Sequence, residues 1–116
     1  MDIYKFNPDS RKKVYSQLGI DENRKIMLSV ARYSKIKDVP LFISSLARLK
    51  KGHPELVGVM CGTKIEESNA ELVSMIKDNG LVIGEDIFLL GRRDDLPDLF
   101  SASEIYVLHS AGEAFP

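Results

Sequence analysis

The chain has 116 residues, 44% of them hydrophobic and 28% charged, which fits one small domain with a core of its own. Sixteen basic residues against seventeen acidic ones leave a net charge of −1, so no global field draws the chain to nucleic acid or to an acidic membrane. The single cysteine, Cys61, excludes an intrachain disulfide and cannot build a zinc site alone.

In chain order, MDIYKFNPDS lacks the apolar stretch of a signal peptide. Residues 9–18 read as a helix through Val14 and Leu18, ended by Gly19. KIMLSV (25–30) is the first predicted strand. A helix over 39–51 follows, with Asp38 as its cap and Pro40 in its first turn. Val39, Phe42, Ile43, Leu46 and Leu49 form its apolar face, Lys50 and Lys51 suit its negative end, and Gly52 can close it. LVGVMC (56–61) is the second strand. The capping-box spacing T-K-I-E (63–66) predicts a helix over 66–79, with Leu72, Val73 and Ile76 inward and Gly80 as its stop. DIFLL (86–90) is the third strand, a short helix with Leu96, Leu99 and Phe100 inward follows Asp95, and EIYVL (104–108) is the fourth strand.

The strand runs lack clean alternation, as expected where both faces of a parallel sheet are covered. Strand–helix alternation throughout makes the fold class α/β, a Rossmann-like parallel sheet with helices on both faces. The expected strand order is 3-2-1-4, with the helices over 39–51 and 66–79 on one side. No apolar stretch approaches the roughly 20 residues that span a bilayer. A soluble cytoplasmic protein is the expectation.

Ligands of open parallel sheets bind beyond the carboxyl ends of the strands. Arg32, Lys35 and Lys37 follow the first strand, Cys61-Gly62-Thr63 the second, Gly91-Arg92-Arg93-Asp94-Asp95 the third, and HSAGEAFP (109–116) the fourth. Gly62 is expected to let a ligand approach the backbone closely. Each feature also has a plainer reading. Lys35 suits a solvated loop, Arg92 and Arg93 can pair with Asp94 and Asp95, and Cys61 suits a small buried apolar residue. His53 reads as exposed and inert, and His109 alone says nothing of catalysis. SVARYSK contains no glycine, so a G-x-G-x-x-G dinucleotide turn is missing, as are a G-x-x-x-x-G-K-S/T phosphate loop and a nucleophile elbow.

SVARYSKIKD is similar to the V-G-R-L-x-x-x-K-G segment of the retaining GT-B glycosyltransferases of family 4, with Arg32 and Lys37 at the family spacing. FLLGRRDDLPDLFSASEIYVLHSAGEAFP resembles that family's F-L-G-x-x-x-D-x-P-x-L-x-x-x-A-D-I-x-V-x-P-S-x-x-E-G-F run. The resemblance covers Phe6 to Pro116 and implies the nucleotide-sugar-binding half of a GT-B fold. It implies that Arg32 and Lys37 grip the donor diphosphate; Lys35, on its reading as a solvated loop residue, is expected to be a bystander. The loop around Gly91, Arg92 and Arg93, with Gly62, is implied to hold the nucleotide, largely through backbone groups. Glu113 matches the first glutamate of the E-x7-E motif, which faces the donor sugar in catalysis. No cofactor and no metal are implied: the substrates are a nucleotide sugar and a glycan or lipid acceptor, in the manner of a hexosyltransferase. Departures are Ala31 and Asp38 where the family has Gly, Glu104 for Asp, His109 for Pro and Ala114 for Gly.

The second glutamate of E-x7-E would lie beyond Pro116, and the family's acceptor-binding domain would precede this segment. The expectation is therefore a single partial nucleotide-sugar-binding domain over 1–116, unable to transfer sugar by itself, with membrane association of a longer protein left open. The alternatives are a GT-B-fold nucleotide-sugar epimerase and a noncatalytic Rossmann-like binding module.

Overall fold

A computed structural model describes residues 8–34 and 38–107. Eight elements alternate along the chain: α1 (Pro8–Leu18), β1 (Lys25–Val30), α2 (Asp38–Lys50), β2 (Leu56–Cys61), α3 (Ala70–Asp78), β3 (Ile87–Leu89), α4 (Leu96–Ala102) and β4 (Ser103–Val107). The four strands form one sheet in the order β3-β2-β1-β4, and every pairing is parallel. This is the expected order. β1 pairs with β2 in unbroken register from Lys25–Leu56 to Val30–Cys61. Its pairing with β4 slips once, between Ile26 and Met27.

Alternation of side chains along each strand divides the apolar residues between two faces. Ile26, Leu28, Val57, Val59 and Cys61 pack with Val14 and Tyr15 of α1 and Leu99 of α4. Met27, Leu56, Met60 and Ile87 pack with Phe42, Ile43 and Leu46 of α2 and with Leu72 and Ile76 of α3. Both faces are thus covered, which is why β1 and β2 read as continuous apolar runs. At the centre of the second face Gly58 leaves room for a helix. A Cβ there would lie 2.4 Å from Leu46 Cδ2 and 3.2 Å from Ile87 Cγ1.

Two expectations are corrected. The helix predicted over 66–79 begins at Ala70, capped by Asn69, whose Oδ1 accepts the Leu72 N–H at 3.2 Å. The T-K-I-E segment is spent otherwise. Lys64 takes a left-handed conformation (φ 65°) and Ile65 drops fully into the core between α2 and α3. The Ile65 carbonyl accepts the Gly91 N–H at 2.7 Å. Burial of a large apolar side chain, worth about 1.5–3 kcal/mol, outweighs a capping box. Lys50 stands in the last turn of α2, as expected, and also serves the tertiary structure. Its Nζ donates to the Leu56 carbonyl at 2.6 Å and lies 3.5 Å from Asp86. Secondly, β3 is the three residues 87–89, shorter than the expected 86–90. Among the described residues, no helix is long and apolar enough to cross a membrane.

Candidate functional site

Backbone hydrogen bonds continue past the carboxyl ends of β1, β2 and β3 and join the three following loops. Ala31 N–H donates to the Cys61 carbonyl (3.0 Å), Tyr33 N–H to Thr63 (2.9 Å) and Leu90 N–H to Met60 (2.9 Å). Gly62 N–H then donates to Gly91 at 2.8 Å, so the loops after β2 and β3 are tied directly to one another. Gly62 has φ 142°, and a Cβ there would sit 2.2 Å from the Ala31 carbonyl oxygen. What closely approaches Gly62 is the protein's own loop after β1, so its absent side chain lets two loops touch.

Beside this junction lies an open hollow of about 210 Å³, bordered by Arg32, Gly62, Thr63, Arg92, Arg93 and Leu96. Whole small-molecule sites typically run to roughly 300–1,000 Å³, so the part of the hollow that the described residues form matches one charged portion of a ligand. Four of the sequence-predicted site residues, Arg32, Gly62, Arg92 and Arg93, border it, and Gly91 braces it through Gly62. Lys35, Lys37, His109 and Glu113 lie outside the described residues.

The three arginines differ in environment. Arg32 and Arg92 pair with no carboxylate among the described residues. Arg93 is engaged on two sides of its guanidinium. Nε donates to Asp95 Oδ1 at 2.8 Å and Nη2 to Oδ2 at 2.5 Å, while Nη2 also reaches Gln17 Oε1 of α1 at 3.3 Å. The Arg93 hydrogen bonds hold the Asp95 carboxyl below the ordinary carboxylate range, and the same bonds raise Arg93. Asp95 also stands at the N-cap of α4, yet its side chain makes no capping bond. Beneath the hollow, burial pushes the Cys61 thiol up to about 11, against a smaller opposite pull from Arg93. The thiol stays protonated and serves as floor, in line with its reading as a small buried apolar residue.

Two further hollows flank the sheet. One of about 470 Å³ lies over the start of α3, where the Tyr33 hydroxyl donates to Glu71 Oε1 at 3.2 Å and Lys64, Ser68 and Asn69 complete the wall. Burial, then the Glu71 hydrogen bond, raise the Tyr33 phenol. This pair is not legible in the sequence, because a Tyr and a Glu 38 residues apart carry no local signal. The other, about 500 Å³, lies near the amino ends of the strands and contains Arg24 and Lys50. Arg24 donates to the carbonyls of Glu55, Leu56 and Glu85 at 3.1–3.3 Å, so this basic pair stitches the fold together. Despite its size, that hollow offers an anion little. Among the described residues there is no group of three His, Cys, Asp or Glu side chains able to hold a metal.

Comparison with known proteins agrees with this architecture. Residues 10–116 match the family model described as glycosyl transferases group 1. Over 104 residues the chain is 30% identical to the Bacillus subtilis (strain 168) protein named "Putative glycosyltransferase YtcC", covering 86% of this chain and 25% of that one. Among solved structures it is similar to Anabaena Alr3699/HepE in complex with UDP and glucose. There the TM-score is 0.72 and the identity 26%, over 89% of this chain and 27% of that one. The lipopolysaccharide-biosynthesis glycosyltransferase WaaG matches with a TM-score of 0.68 at 20% identity, over 86% and 26% of the respective chains. The α/β sheet therefore has the fold of GT-B glycosyltransferases. The chain spans about a quarter of the length of these relatives.

Proposed function

The chain belongs to the group 1 glycosyl transferases, and on that premise we propose that it forms part of the donor-binding domain of a retaining enzyme moving a hexose from a nucleoside diphosphate to a glycan or lipid acceptor. One observation carries the reading. Arg32, with no carboxylate partner among the described residues, shares a hollow with Gly62, Arg92 and Arg93 at the carboxyl end of a parallel sheet. A relative solved with UDP and glucose supports it at 26% identity.

In this proposal Arg32 and Lys37 hold the diphosphate, with Lys35 solvated nearby. Gly91, Arg92 and Arg93, braced by Gly62, meet the nucleotide mainly through backbone groups, and Glu113 faces the donor sugar. Negative charge that develops on the leaving diphosphate is met by the two cations, in the role a metal ion plays elsewhere. Charge-assisted hydrogen bonds of this kind contribute about 1.5–3 kcal/mol each.

The experiment is titration of the chain with UDP and other nucleoside diphosphates at low salt, followed by backbone amide shifts. Shifts are expected at 31–38, 62–64 and 91–94. Arg32→Ala should weaken binding about tenfold or more, while Lys35→Ala should leave it nearly unchanged. Equal losses from the two variants would reduce the site to a diffuse basic patch.

A further inference from the structure

Arg93 borders the proposed diphosphate hollow, yet its guanidinium is already occupied. Nε and Nη2 fork onto both oxygens of Asp95, and Nη2 adds Gln17. The two side chains of the pair are only 24% and 23% exposed, so water and salt screen it less than a fully exposed pair. The pairing also has a visible local consequence. An aspartate at an N-cap ordinarily accepts a backbone N–H of the first helical turn, and Asp95 of α4 does not. Its carboxylate turns to Arg93 while its backbone carbonyl still accepts the Asp98 and Leu99 N–H groups at 3.0 and 3.2 Å.

We propose that Asp95 is a positioning residue that withholds the Arg93 side chain from an anion in the hollow, leaving Arg32 as its principal described ligand. The proposal rests on the nucleotide-diphosphate reading above and refines it. An incoming phosphate can engage Arg32 without displacing a carboxylate. To recruit Arg93 it must first break a two-bond charged fork. The carboxylate also sets its own negative charge beside the hollow. Asp95 thereby caps the affinity for nucleoside diphosphate, which suits a site that must release that product after each transfer. The backbone of 91–93 remains available to the nucleotide.

The test compares wild type, Asp95→Asn, Arg93→Gln and the double variant, each titrated with UDP and with inorganic pyrophosphate at low salt. Asp95→Asn should bind both anions at least about threefold more tightly, because the freed guanidinium becomes a ligand. Measured against Arg93→Gln as its reference, the double variant should lose the gain. The Arg93 Nε–H resonance reports release of the guanidinium, and its shift when pyrophosphate is added to Asp95→Asn is a readout that a purely structural role does not move. It should be protected in wild type and exchange rapidly in Asp95→Asn while the backbone spectrum is kept. If Asp95→Asn fails to fold, Asp95→Ser removes the charge and places a good N-cap residue there. A released Nε–H with no gain for either anion overturns the proposal, and so does an equal gain from Asp95→Asn in the Arg93→Gln background. Absence of UDP binding by wild type overturns the nucleotide reading instead, and the pyrophosphate titrations then decide the role of Asp95 by themselves.

Discussion

At the amino ends of the strands, Arg24 and Lys50 donate to the backbone carbonyls of residues 54–56 and 85, and Lys50 also pairs with Asp86. At the carboxyl ends, Arg32 and Arg92 meet no carboxylate among the described residues, and Arg93 alone is held. Basic side chains therefore stand at both ends of one sheet with opposite consequences. Cations that satisfy buried or half-buried carbonyls contribute to stability, because those acceptors are costly to leave unmade. Cations without internal partners contribute little to stability and remain available to a ligand. The difference lies in what surrounds each charge, and a larger hollow at the amino end does not reverse it.

The strongest challenge to this contrast is at the junction that supports the carboxyl-end loops. Gly62→Val should destabilise the chain by about 3 kcal/mol or more, since it places a β-branched residue at φ 142° against the Ala31 carbonyl. Urea unfolding measures this, and a loss below about 1 kcal/mol would mean that the loops separate easily. Next in size is the exchange of roles between Lys50 and Arg32. Lys50→Met should cost about 1–3 kcal/mol by stranding the Leu56 carbonyl and the Asp86 carboxylate. Arg32→Ala should shift stability by no more than about 0.5 kcal/mol while it weakens anion binding about tenfold or more. Similar unfolding midpoints for the two variants would erase the distinction between the ends.

The smallest effect is the pH dependence of the Arg93–Asp95 pair. The folded carboxyl lies below its ordinary value of 3.8, so the unfolded state binds more protons between the two values and stability rises with pH across that window. The contribution is fully present above the ordinary value and is lost as pH falls through the lower folded one. Asp95→Asn should thus be less stable than wild type by at most about 1 kcal/mol at pH 7, with the gap closing below pH 3.8. A gap that persists unchanged in acid would assign the loss to the cap of α4 and not to the ion pair.

Sequence alone specified β1 and β2 to the residue, because continuous apolar runs bounded by turn residues leave little choice of ends. It also specified the strand order, since βαβ alternation in so short a chain permits few arrangements. The gathering of Arg32, Gly62, Arg92 and Arg93 followed from that order and the rule that sites form at strand carboxyl ends. Tertiary structure decided the rest. Only packing shows that Ile65 enters the core and delays α3 to Ala70, or that Gly62 accommodates the Ala31 carbonyl. Pairing of Arg93 with an aspartate was legible as one option among neighbours, whereas the choice of Asp95 over Asp94 required coordinates. Periodicity and turn chemistry are local properties that a sequence displays directly. Which charges are spent and which stay open depends on contacts between segments distant in the chain, and only the folded arrangement brings those together.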